Sequence, residues 1–251
     1  MPPEQKTLLT RIKTQIIETV FPSRCMACPA ETVTPMGLCG DCWGRTHFFS
    51  GPVCDLCGVA VPTADGSSQR VICNDCDRTP PAWDRGRSAV AYEGVGRQVT
   101  MALKHSDRLD MAAPLARWMT GAGADILHSD MLIIPVPLHW SRLLKRRYNQ
   151  AAVLAQHIGK RIGADVEVEA LRRKYATPVL KGKTRIERHE TLRNVMEVNP
   201  VKVQYITDRD VLLVDDVMTT GATLSACTQA CREAGAESVN VLTLARVARA
   251  E

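Results

Sequence analysis

The chain has 251 residues, 45% of them hydrophobic and 24% charged, with a formal net charge of +5. This is an ordinary globular balance, and the length favours two domains. No stretch approaches the roughly 18 consecutive apolar residues of a membrane span, and Met1-Pro2-Pro3-Glu4-Gln5-Lys6 lacks the apolar run of a secretory signal, so a cytoplasmic protein is expected. The charge is uneven. Residues 141–193 hold 14 Lys and Arg against 5 Asp and Glu, or +9, which leaves −4 for the remainder. A basic stretch of that kind suits a polyphosphate substrate or a nucleic acid backbone.

In chain order, residues 7–21 read as an amphipathic helix, with Leu8, Leu9, Ile12, Ile16, Ile17 and Val20 at helical spacing. Residues 22–82 are rich in Cys, Pro and Gly and show little periodicity. They hold eight of the ten cysteines as four Cys-x-x-Cys pairs: Cys25/Cys28, Cys39/Cys42, Cys54/Cys57 and Cys73/Cys76. In a reducing compartment such pairs indicate metal rather than disulfides. Each pair turns tightly enough to aim both sulfurs at one ion, and two pairs complete the Cys₄ set of a structural zinc, so two zinc ions are expected. The loops between neighbouring knuckles favour joining first to second and third to fourth. Cross-braced pairing and iron–sulfur ligation are the alternatives. A closed Cys₄ site has no open position for chemistry, so it either folds a small segment or shapes a docking surface.

Thr79-Pro80-Pro81-Ala82 reads as a linker, dividing the chain into an N-terminal helix (1–21), a double zinc module (22–82) and an α/β domain (83–251). In that domain, strands are expected at 88–92, 131–137, 210–214 and 238–246, and helices at 95–104, 111–121, 143–162 and 223–235. Short apolar strands alternating with helices predict a mostly parallel sheet covered on both faces. Ligands of such sheets bind at the C-terminal ends of the strands. Cys227 and Cys231, one turn apart on the last helix, read as core packing.

The most specific run is 211–223, an apolar strand followed by Asp215-Asp216 and the turn Met218-Thr219-Thr220-Gly221-Ala222-Thr223. Paired acids accept hydrogen bonds from sugar hydroxyls. A hydroxyl-rich turn opening a helix offers backbone N–H groups and a partial positive charge to a phosphate. The combination suits a ribose 5-phosphate. The run resembles the phosphoribosyl pyrophosphate (PRPP) motif of type I phosphoribosyltransferases.

Further stretches narrow the resemblance. Ile134-Pro135-Val136-Pro137-Leu138, Arg142 and Arg146-Arg147-Tyr148-Asn149-Gln150 are similar to the strand, pyrophosphate loop and Arg-Gly-Phe-Asn-Gln signature of the ComF family. Tyr92-Glu93-Gly94, Leu103-Lys104-His105 and the segment 172–195, with Thr177-Pro178, Gly182, Arg185, Glu187-Arg188 and Asn194-Val195, extend the likeness to nearly the whole chain. The resemblance implies a double zinc ribbon before a type I phosphoribosyltransferase fold. It implies PRPP with Mg²⁺ bound at Asp215 and Asp216, at residues 218–223, and at Arg142, Arg146, Lys104 and Arg188. Homodimers are common in that superfamily. It also implies a link to DNA uptake, and so a competing role as a non-catalytic single-stranded DNA-binding factor using the zinc module, the basic stretch, and Trp140 and Tyr148 for stacking. Three positions depart from the family pattern: Arg147 replaces glycine, Leu180 replaces glutamine, and Gly182 is followed by Lys183.

Overall fold

The computed structural model describes residues 23–61, 71–105, 108–138, 147–173 and 195–247, which fall into two compact units divided after Arg45. The expected helix at 7–21 lies outside the described residues. In the first unit a bridge between Arg24 and Glu31 and the bond from Met26 N–H to the Gly37 carbonyl fold the chain back on itself. A helical turn, Gly40–Gly44, follows, and the Cys39 sulfur accepts from the Cys42 N–H at its start.

The second unit is built on a five-stranded parallel sheet in the order β1-β7-β6-β2-β3. Its strands are β1 (Arg85–Ala91), β2 (Leu132–Pro135), β3 (Asp165–Val166), β6 (Asp210–Met218) and β7 (Ser238–Arg246). A separate antiparallel pair joins β4 (Leu171–Arg173) to β5 (Met196–Val198). The helices are α1 (Gly94–His105), α2 (Ala112–Ala122), α3 (Gln150–Ile162) and α4 (Ala222–Glu233). The central strands read as continuous apolar runs because both faces are covered. Leu213, Val239 and Val241 pack with Leu224 and Cys227 of α4 on one face, in a core that also takes in Cys54, Cys57 and Cys76. The second cysteine ribbon is therefore part of the sheet's own unit.

Close approach and charge join this ribbon to β1. Gly58 has φ +71°, and a Cβ there would stand 2.5 Å from the Ser88 nitrogen, so only glycine fits. Asp55, inside the third knuckle, pairs with Arg87 at 2.7 Å and Arg85 at 2.9 Å, and both arginines reach Asp125 at 2.6 Å. Arg87 is buried, and the carboxylates around it satisfy its charge.

Element boundaries differ from expectation at several places: the strand expected at 88–92 spans Arg85–Ala91, the strand expected at 131–137 stops at Pro135, and two further differences bear on the site. The helix expected from 143 begins at Gln150, because Asn149 caps it by accepting the Ala151 N–H at 3.1 Å and Arg147 is left-handed at φ +66°. Of the residues ahead of the cap, 143–146 lie outside the described residues. The strand expected to stop at Val214 runs on to Met218, since β7 continues to pair with it through Asp215↔Thr243 and Met218↔Arg246.

Candidate functional site

Strand β6 supplies the acids and the order of the sheet exposes them. From β2 the chain moves outward to β3, and from β6 it moves the other way to β7. The crevice between β2 and β6 is thus the switch point where parallel sheets take ligands. Strand β2 ends at Pro135, opposite Val214, so Asp215 and Asp216 project past its last paired residue. Successive side chains leave a strand on opposite faces. Asp216 meets Lys104 of α1 at 3.2 Å, with both side chains largely buried. Asp215 turns toward α4, where its charge acts on Cys227. Burial, and then the neighbouring Asp216, push the Asp215 carboxyl up to about 7, opposed by the Asp216 N–H and by the charges of Lys104 and Arg173. Such a carboxyl is poised to ionise when hydroxyl or cationic partners arrive.

The turn follows directly. Gly221 has φ +77° and is the N-cap of α4, which has no acid in its first turn; the Thr220 hydroxyl accepts from the Ala222 N–H at 3.5 Å. The other first amides of α4 keep their partial positive charge for an anion. Thr219 is exposed, and Thr220 and Thr223 are half-buried. Met218 and Ala222 are buried and present backbone rather than side chain. A Cβ on Gly221 would fall 2.6 Å from Cη2 of Trp83, a buried residue whose indole N–H donates to the Leu56 carbonyl.

The stretch around Asn149 braces the same crevice. Its amide donates to the Val136 carbonyl at 3.0 Å, and the Tyr148 hydroxyl donates to the Leu103 carbonyl at 2.6 Å, next to Lys104. The structure thus brings together Lys104, Asp215, Asp216 and residues 218–223. Arg142, Arg146, Arg188 and Trp140 lie outside the described residues. Sequence reasoning passed over Arg173, Trp83 and Arg246. Arg173 is the last described residue of a basic run, and no periodicity marks the other two.

The eight knuckle cysteines form two clusters, Cys25/Cys28/Cys39/Cys42 and Cys54/Cys57/Cys73/Cys76, with all four sulfurs of each within 4.8 Å of one another. The pairing is first with second and third with fourth. Zinc–sulfur bonds of about 2.3 Å in a tetrahedron place sulfurs about 3.8 Å apart, and the Cys28–Cys39 and Cys57–Cys73 separations are both 3.7 Å. Backbone amides favour the ligating thiolates. Burial opposes the Cys25 thiolate, but the N–H groups of Cys39 and Ala27 outweigh it and hold that thiol down to about 6. Both clusters fit zinc. Cys227 and Cys231 are fully buried in the core, and burial pushes the Cys231 thiol up to about 12. They are packing residues. Among the described residues no helix is long and apolar enough to cross a membrane.

Comparison with known proteins finds two family models along the chain. Residues 16–77 match the double zinc ribbon domain, and residues 149–251 match the phosphoribosyl transferase domain. Competence protein F of Haemophilus influenzae is 28% identical over 232 residues, 90% of this chain and 98% of that one. The DNA utilization protein YhgH of Escherichia coli K12 is 27% identical over 219 residues, 84% of this chain and 90% of that one. Phosphoribosylpyrophosphate synthetase from Mycobacterium smegmatis superposes with TM-score 0.33 and 16% identity, over 55% of this chain and 34% of that one.

Proposed function

We propose that this chain, which belongs to the ComF family and joins a double zinc ribbon to a type I phosphoribosyltransferase domain, binds PRPP or a related ribose 5-phosphate at Asp215, Asp216 and the turn 218–223. The observation that carries this reading is the glycine-capped, acid-free N-terminus of α4, set just after two acids at the switch point of the sheet. The turn and the first amides of α4 hold the 5′-phosphate, and Thr219, Thr220 and Thr223 add hydroxyl donors. Gly221 lets the backbone approach. Asp215 and Asp216 accept from the ribose hydroxyls.

Lys104, already held 3.2 Å from Asp216, gives the diphosphate a cation that needs little reorganisation, and Arg142, Arg146 and Arg188 are the further cations assigned to it by the family resemblance. Mg²⁺ entering with the diphosphate would, when bound, supply charge neutralisation on the leaving group. In a transfer reaction a nitrogen nucleophile forms its bond to C1 as the bond from C1 to the diphosphate oxygen breaks. The diphosphate departs with the electron pair, and the nitrogen loses its proton to solvent. The ionised acids stabilise the positive charge that develops at C1.

The names of the relatives, competence protein F and DNA utilization protein, favour a role in competence or in the use of DNA. They support a second reading. In it the site holds PRPP as a regulatory ligand or grips a nucleotide end, while the zinc ribbons and the basic residues between 141 and 193 bind single-stranded DNA. Filter binding of labelled PRPP tests what the two readings share. Ribose 5-phosphate should displace the label and free ribose should not. Displacement by neither, or by ribose, overturns the phosphate assignment. Diphosphate release on adding free bases then separates a transferase from a binding protein.

A further inference from the structure

The two cysteine clusters are placed differently. The first lies in the unit that ends at Arg45, whereas the second lies in the unit that carries the acid pair and the phosphate turn. Two connections run from the second cluster to this site, and Arg246 meets the turn from β7. The Leu56 carbonyl, between Cys54 and Cys57, accepts the Trp83 indole N–H, and the Trp83 ring lies against Gly221, filling the space a Cβ would need. The Ser88 hydroxyl reaches the Cys57 carbonyl at 3.4 Å and the Thr243 hydroxyl at 2.7 Å, and Thr243 is the register partner of Asp215. Arg246, the register partner of Met218, points Nη1 at the Thr219 carbonyl at 3.4 Å. Its Nε is buried and has no hydrogen-bond partner among the described residues.

We propose that the second Cys₄ site is a working part of the phosphate site: metal held by Cys54, Cys57, Cys73 and Cys76 fixes the knuckle that positions Trp83, and Trp83, together with Arg246 of β7, sets the conformation of the turn at 218–221. The knuckle carbonyls stay in register only while four sulfurs converge on one ion. Without it, Trp83 loses its acceptor and the left-handed turn at Gly221 loses its wall. Binding of metal and of ribose phosphate is then coupled, and coupling is reciprocal: each ligand strengthens the other by the same factor, about tenfold in the usual range. Trp83 and Arg246 are positioning residues, and the first cluster has no part in the effect. The ligand half of this inference rests on the proposed function, and the conformational half does not.

The test uses the full zinc-loaded chain. A chelator is added in steps, and alkylation of the cysteines read by mass spectrometry reports which cluster has opened. Hydrogen exchange is followed in the peptide covering 217–224. Opening of the second cluster should speed exchange there about tenfold, with β2 and α3 unchanged, and opening of the first should leave the peptide as it was. Trp83→Phe and Arg246→Met, with both zinc ions retained, should each speed exchange in that peptide alone. Wild-type exchange in both variants overturns the proposal, as does a turn that ignores the second cluster. If chelation loosens the whole sheet, the two zinc-loaded variants decide the question by the same criterion. PRPP should slow alkylation of the second cluster about tenfold and leave the first unaffected. PRPP that binds without this protection overturns the ligand coupling. Absence of PRPP binding overturns the proposed function instead, and the exchange result alone then judges the conformational link.

Discussion

Asp215 carries the sharpest consequence of local chemistry. A free aspartate titrates near 4, whereas burial and the Asp216 charge hold this one near 7. Between the ordinary carboxylate range and about 7 the unfolded chain has released this proton while the folded chain still holds it. The penalty on the folded state therefore grows as pH climbs from the ordinary carboxylate range and levels off above about 7. Asp215→Asn removes the charge and keeps the shape. It should be more stable than wild type by a few kcal/mol at about pH 8, with the gap narrowing as pH falls. Urea unfolding across pH 5.5 to 8.5 checks this, and a gap independent of pH contradicts it. Arg147 makes a second case. It stands where the family signature has glycine, and it still adopts the left-handed conformation, at φ +66°. That geometry costs a residue with a Cβ roughly 1–2 kcal/mol. Arg147→Gly should therefore gain about 1 kcal/mol after allowing for the freer unfolded chain, read as a higher urea midpoint.

At the scale of elements, the start of α3 shows how a short sequence fixes the crevice. Asn149 caps the helix and also holds the Val136 carbonyl beyond β2. Asn149→Ala breaks both, and should cost about 1–2 kcal/mol in thermal or urea unfolding. Much of the architecture was legible in the residues. The strand at 238–246 and the helix at 94–105 follow from apolar patterning, and the turn at Gly235, φ +86°, is a glycine stop. What escaped has physical reasons. Nothing in the periodicity of 143–162 marks Arg147 as left-handed, so the helix reads too long from sequence. Strands β3, β4 and β5 have two or three residues each, too few for alternation to register. The acid pair and its turn were visible because strand, carboxylates, hydroxyls and helix sit in one continuous run. Trp83 and Arg246 were not, because they reach Gly221 and Thr219 only through the fold.

At the scale of the molecule, the parallel sheet organises one crevice, and the second ribbon packs on the same core as α4. Two closed Cys₄ sets require two metal ions, so metal analysis of the purified protein should return about two zinc per chain. A value near one would mean that one cluster does not hold metal. The charge distribution bears on the proposed role in DNA handling. If the basic stretch serves a DNA backbone, single-stranded DNA binding must weaken steeply with salt, because each neutralised phosphate releases counterions. The most direct test of the ribose-phosphate site is a calorimetric titration of PRPP with Mg²⁺ at about pH 8 into wild type and into Asp215→Asn/Asp216→Asn. Wild type should bind at one site per chain, and the double variant should bind at least about tenfold more weakly, the loss expected for hydrogen bonds to charged groups. No binding by wild type, or equal affinity in both proteins, would contradict the assignment.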